Sequence, residues 1–308
     1  MFNYNRFMKE RVYWCDIAKS IGIFLMVCGH TSIPSSISNW IYSFHMPLFF
    51  IISGFFFSKK GEGMLAPYII RKVKSLLVPY FKYSIVVYVG MILIGVPDYH
   101  ALLVGWKAYA LWFIPVLFFT EICFALLVKI NYYYVVVFLM GGVGYFFYKN
   151  ALFLPYKIDV VFSSIMFFFL GYICKDILRT IKPNMIVMIV FFISNFLIAQ
   201  LLPKLDLCWN YYGWSVLNII NACIGCLGVF LLSKKIEKYG IENKLVKLLI
   251  GFGKNTIVIV GLSQLFNLIL KNMFSLIQIQ YEVSFVLRFC LLWLLLWGVV
   301  KYKKYLYL

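Results

Sequence analysis

The chain has 308 residues, of which 64% are hydrophobic, 20% aromatic and only 13% charged. A water-soluble domain of that length has too little interior to hide so much apolar side chain, so composition alone excludes one. The formal net charge of +18 raises nucleic acid as a partner, but the basic residues fall between alternate apolar runs, which is the pattern of membrane topology and not of a nucleic-acid face.

Ten apolar runs have lengths near the ~20 residues that cross a bilayer. They are expected as helical spans at about 13–32, 40–58, 77–96, 103–127, 131–148, 158–175, 184–203, 213–233, 248–270 and 283–300. The runs are continuous and not alternating, which sets aside a β-barrel. The expectation is an all-α fold, a polytopic transmembrane helix bundle forming a single domain over residues 1–308. No internal repeat, low-complexity segment or long linker divides it. The basic start followed by an apolar run has the look of a signal peptide, but the run ends in HTSIPSS without a small-x-small cleavage pattern, so it is read as the first span.

Twenty basic residues occupy one set of alternate loops: Arg6, Lys9 and Arg11; Lys59, Lys60, Arg71, Lys72 and Lys74; Lys129; Lys175, Arg179 and Lys182; Lys234, Lys235, Lys238, Lys244 and Lys247; Lys301, Lys303 and Lys304. The other set holds five, Lys107, Lys149, Lys157, Lys204 and Lys271. The positive-inside rule then puts both termini in the cytoplasm.

Within the first span, Lys19 and His30 are eleven residues apart, hence about 20° apart around a helix and roughly 16 Å along it. One stripe carries a cation near the cytoplasmic face and an imidazole near the outer face. Asp16, three residues before Lys19, is placed to pair with it. Two of the three histidines in the chain, His30 and His45, bracket the uncharged turn between the first two spans. Histidine titrates near neutrality and suits proton transfer, whereas the bland reading of both rings is helix-end solvation.

Further along, Trp112 and Trp209 are candidates to line or close a pocket, with the interfacial aromatic belt as the alternative. Asp159 opens the sixth span and also suits a helix cap. Asn218 and Asn221 on the eighth span, and Gln264 and Asn267 on the ninth, are polar groups in apolar surroundings, where an interhelical hydrogen bond is the usual role. Glu121 and Arg288 lie deeper and need partners in the bundle. Eight cysteines are scattered; Cys223 and Cys226 make a CxxC without further ligands, so inert thiols are expected. No His/Cys/Asp cluster has metal spacing and no Gly-rich loop suits phosphate, so no metal is expected.

The segments DIAKSIGIFLMVCGH (Asp16–His30) and SFHMPLFFIISGFFF (Ser43–Phe57) resemble the acyltransferase 3 family of integral membrane acyltransferases, in particular its fucose O-acetylase-like and polysaccharide O-acetyltransferase branch. The basic stretch ending in LLVPYF (Leu76–Phe81), LWF (Leu111–Phe113) and FGKNTIVIV (Phe252–Val260) are similar to the family as well. The resemblance implies transfer of an acyl group, acetyl above all, from cytoplasmic acyl-CoA to a hydroxyl of a cell-surface glycan or glycolipid. It implies His30 and His45 as catalytic residues, and Lys19, Arg71, Lys72 and Lys74 as the groups holding the phosphates of the donor. Trp112, Asp159, Asn218 and Gln264 are the acceptor-binding candidates. Acetyl-CoA enters as substrate, with no resident cofactor, and the expected location is a cell membrane, the bacterial cytoplasmic membrane. The chain departs from the family at Gln264, near where relatives often carry a histidine. Glutamine cannot act as a base but can bind a sugar hydroxyl. A glycan flippase or transporter, a glycan polymerase and an inactive membrane interaction protein are the competing readings; short outer loops and the absence of inverted repeats count against the first two.

Overall fold

The structure, a computed structural model, describes residues 11–31, 33–58, 65–95, 109–211, 215–276 and 281–302. The basic residues Arg6, Lys9, Lys59, Lys60, Lys107, Lys303 and Lys304 lie outside them. Every regular element among the described residues is helical. The chain runs through α1 (Tyr13–Gly29), α2 (Ser35–Phe56), α3 (Leu65–Lys72), a π turn (Val73–Leu77) and α4 (Val78–Leu93). It continues through α5 (Phe113–Leu127), α6 (Tyr133–Lys149), α7 (Ile158–Ile173) and the short α8 (Lys175–Thr180). The last five helices are α9 (Met185–Leu201), α10 (Ser215–Glu237), α11 (Lys244–Lys254), α12 (Thr256–Leu276) and α13 (Tyr281–Tyr302).

Among the described residues, five helical stretches are both long and apolar enough to cross a bilayer: Leu65–Leu93, Ala110–Leu127, Pro155–Ile173, Val216–Glu237 and Thr256–Phe274. Tyr133–Lys149 and Met185–Leu201 are apolar but shorter. With phenylalanines, leucines and valines left open on their outward faces, these helices form an all-α polytopic membrane bundle, since lipid solvates such faces and water does not.

Two expected boundaries are corrected. The span placed at 77–96 begins as helix at Leu65, so Arg71, Lys72 and Lys74 sit on helical turns and not in a loop. A π turn eases the entry to Pro79, whose ring would otherwise press on the Ser75 carbonyl of a regular helix. The span placed at 248–270 is two helices. Asn255 breaks them with a non-helical backbone, and its side chain donates to the Gly251 carbonyl at 2.7 Å, replacing a lost backbone donor.

Helix α2 is the centre of the bundle, packed against α7 above all and also against α1, α9 and α10. Its approach to α7 depends on two glycines. A Cβ on Gly54 would sit 1.9 Å from the Phe168 carbonyl oxygen, and one on Gly171 would sit 2.0 Å from that of Ile51. The helices are therefore in backbone contact, the small-residue packing that suits helices in lipid. Fully buried Phe50 and Phe44 fill the core beside this contact. A polar seam joins α9, α10 and α2: the Asn195 amide donates to Asn221 Oδ1 at 2.9 Å and to Ser43 Oγ at 3.1 Å.

Candidate functional site

A cavity of about 510 Å³ opens between α1, α2, the Ala110–Leu117 segment, the 206–209 loop and α12. Helix α1 contributes Lys19, Ile23, Met26 and His30, one stripe at helical spacing. The stripe runs unbroken because α1 is regular to Gly29 and His30 caps it, its N–H shared between the Met26 and Val27 carbonyls at 3.2 Å. Asn267 of α12 donates to the His30 carbonyl at 3.3 Å, satisfying an acceptor that the helix end leaves open.

At the Lys19 end, Asp16 accepts from Lys19 Nζ at 2.7 Å, the pairing that the sequence spacing predicts, and from Arg11 Nε at 2.7 Å. Gly253 of α11 holds this turn in place. A Cβ there would lie 1.8 Å from the Asp16 carbonyl oxygen, so α11 rests directly on the α1 backbone. The break at Asn255 then lets Thr256 line the cavity.

At the other end the two imidazoles flank one phenol. The Tyr42 ring centroid is 6.3 Å from that of His30 and 5.0 Å from that of His45, both edge-on. His45 is buried, lines the cavity, and its Nδ1 lies 2.8 Å from the Ile41 carbonyl. A carbonyl only accepts, so Nδ1 carries the hydrogen and in the neutral ring Nε2 holds the lone pair. His30 is an exposed residue that lines the same cavity. Lys204 Nζ stands 3.8 Å from the Tyr42 ring centroid and donates to Ser38 Oγ at 3.2 Å.

The loop after α9 closes this end with Asp206, Leu207, Cys208 and Trp209. Asp206 caps the short 3₁₀ turn Leu207–Trp209 by accepting from the Cys208 N–H at 3.1 Å. Burial raises the Asp206 carboxyl above the usual range, opposed by nearby Lys204. Burial also pushes the Cys208 thiol up to about 12, which keeps it protonated and a poor nucleophile.

The cavity thus gathers Lys19, His30, His45, Trp112 and Gln264. Gln264 Oε1 accepts from the Ala110 N–H at 3.1 Å and so fixes the short turn that carries Trp112. The other candidates lie elsewhere. Asp159 is buried and accepts from the Leu154 N–H at 3.0 Å, bracing the loop before α7. Asn218 is buried and donates to the Pro203 carbonyl. Lys72 Nζ is 2.5 Å from Glu121 Oε2, which the Tyr68 hydroxyl also meets at 3.3 Å; Lys72 is the partner that buried Glu121 needs. Arg71 and Lys74 border a separate open hollow with Ser75. Tyr42, Lys204 and Asp206 belong to this end of the site without any mark in the sequence. A tyrosine near a span end and a charge in a loop carry no local mark of a distant partner. Among the described residues no group of His, Cys, Asp and Glu could hold a metal ion.

A multi-pass helical bundle enclosing a cavity with a cation at one end and two imidazoles at the other defines a class, that of integral membrane proteins with an internal polar cavity. A family model described as an acyltransferase domain matches residues 12–302. The chain belongs to that family, acyltransferase 3, and is a membrane acyltransferase. No curated protein and no solved structure matches the chain.

Proposed function

We propose that this protein is an O-acyltransferase that moves an acyl group, acetyl first, from cytoplasmic acyl-CoA to a hydroxyl of a cell-surface glycan or glycolipid. The observation that carries the reading is the single cavity that takes in Lys19, His30 and His45 together. The ~16 Å between Lys19 and His30 along α1 suits a pantetheine arm whose phosphates stay at the basic end. The phosphates are then held by Lys19, with Arg71 and Lys74 as outlying charges. Lys72 is already neutralised by Glu121 and is the weakest of the four donor candidates.

At the far end an imidazole nitrogen takes the proton of the acceptor hydroxyl as its oxygen attacks the thioester carbonyl. The tetrahedral oxyanion collapses, the C–S bond breaks, and the CoA thiolate leaves with that proton. A positioned histidine contributes typically 10²–10⁴-fold to such a step. His30 is the exposed residue of the two and is assigned the base. His45 shares its tautomer-fixed Nε2 with the same space and supports or relays that proton. Trp112 and Gln264 stand beside the acceptor. The site lies in a bacterial cytoplasmic membrane with ten spans and both ends inside.

The test is transfer of labelled acetyl from acetyl-CoA to glycan or glycolipid in membranes containing the protein. Transfer is expected, with kcat lost in His30→Ala and donor KM little changed. Normal transfer by a well-expressed His30→Ala protein rejects the assignment of the base.

A further inference from the structure

The 202–211 loop brings two side chains to the His30 end of the cavity that the acyl-transfer steps above do not use, the Asp206 carboxylate and the Trp209 indole. The loop is rigid. Asp206 and Tyr211 exchange backbone hydrogen bonds at 3.0 and 2.9 Å. Asn210, fully buried and left-handed, accepts from Ser163 Oγ at 2.9 Å and donates to the Gly144 carbonyl at 3.1 Å. A loop so pinned nevertheless leaves Trp209 55% exposed while Leu207 and Asn210 of the same turn are buried. Beneath the indole, Lys157 is fully buried with its Nζ 4.2 Å from the ring centroid. Two consecutive non-glycine residues in left-handed conformation, Tyr156 (φ 55°) and Lys157 (φ 59°), put it there. Strained backbone of this kind persists where the surroundings impose a particular placement.

An interfacial-belt tryptophan faces lipid headgroups. Trp209 instead lines the cavity that holds His30 and His45. A pyranose ring presents a flat patch of C–H groups beside hydroxyl donors, and so needs an aromatic wall next to an acceptor. A carboxylate offers about four acceptor positions, so the backbone N–H groups of Cys208, at 3.1 Å from Asp206 Oδ1, and of Trp209 still leave it capacity for sugar hydroxyls.

We propose that Trp209 and Asp206 form the acceptor subsite for a pyranose ring, the indole taking its C–H face and the carboxylate accepting from its hydroxyls, with Lys157 positioning the indole. The identity of the bound sugar as the acyl acceptor rests on the acyltransferase reading; the sugar site itself does not.

The test uses the full chain in lipid nanodiscs and saturation-transfer NMR with the methyl pyranosides of glucose, galactose, fucose and N-acetylglucosamine. Saturation of at least one glycoside is expected, weakened about tenfold or more in apparent affinity by Trp209→Ala and by Asp206→Asn. Trp209→Phe, which keeps a flat ring, retains most of it, and Trp297→Ala, removing an exposed tryptophan on α13 away from the cavity, changes nothing. Saturation that survives both Trp209→Ala and Asp206→Asn, or none with any glycoside, overturns the subsite. A protein that binds sugar through Trp209 yet transfers no acyl group overturns the acyltransferase reading alone. One that transfers acyl groups with an acceptor KM untouched by Trp209→Ala overturns the subsite alone.

Discussion

Replacing Lys72 by Met leaves the Glu121 carboxylate in an apolar interior without its cation. The Glu121 side chain is 5% exposed, that of Lys72 is 24% exposed, and the charged atoms are 2.5 Å apart. At an effective dielectric near 20 the gross attraction at that distance is roughly 6–7 kcal/mol. Most of it offsets the cost of taking two charges out of water, so the intact pair contributes little net. Breaking the pair is different, because the desolvation of Glu121 remains and the compensation is gone; about 3–5 kcal/mol is expected. Changing Glu121 to Gln as well removes the stranded charge and keeps an acceptor for the Tyr68 hydroxyl. The double variant Lys72→Met/Glu121→Gln is therefore expected within about 1–2 kcal/mol of the parent, a coupling of 2 kcal/mol or more. Thermal unfolding of detergent-purified protein reads this out. At roughly 2 °C per kcal/mol for a chain of this size the single variant melts about 6–10 °C lower and the double regains most of that. A single variant that melts with the parent, or a double that is merely the sum of its parts, would show that Lys72 does not serve Glu121 and would return it to the donor site.

Arg71→Ala removes a charge that lies 5.2 Å from the centroid of the buried Tyr68 ring and Lys74→Ala one that borders the open hollow; if they hold donor phosphates, the KM for acyl-CoA rises about 10- to 150-fold with kcat near normal, and unchanged KM values make these charges a topology signal only. Gly253→Ala forces α11 off the Asp16 carbonyl and is expected to lower both melting temperature and acyl transfer, whereas Gly251→Ala, with nothing within 4 Å of a new Cβ, is the matched control; equal behaviour of the two dismisses the close-contact argument. Cysteines introduced at 33–34 are expected to react with an impermeant thiol reagent from outside and cysteines at 59–64 only after permeabilisation; the reverse pattern inverts the proposed donor and acceptor ends.

The amino-acid order alone determined what depends on local periodicity and on solvent. Long apolar runs without charge must become helices in lipid, because only there are the backbone groups satisfied within the segment. A spacing of eleven residues puts Lys19 and His30 on one face of any regular helix, and three residues let Asp16 reach Lys19, whatever the rest of the chain does. Boundaries were less legible where a helix breaks without leaving the apolar environment. Asn255 splits the expected ninth span through a side-chain bond to Gly251, and Leu65 starts the third well before its apolar run.

Pairings between distant segments were decided by tertiary packing. Lys72 looks like one more loop charge until α5 brings Glu121 to it. Asn218 and Asp159 share a residue type with groups in many binding sites, yet both turn to backbone partners of neighbouring loops. Asp206 and Trp209 enter the cavity because Asn210, between Trp209 and Tyr211, is locked onto α6 and α7. A side chain's face on its own helix follows from 3.6 residues per turn, but the group it meets across the bundle depends on which backbones can approach. Here glycines at 54, 171 and 253, each opposite a carbonyl oxygen, set those approaches.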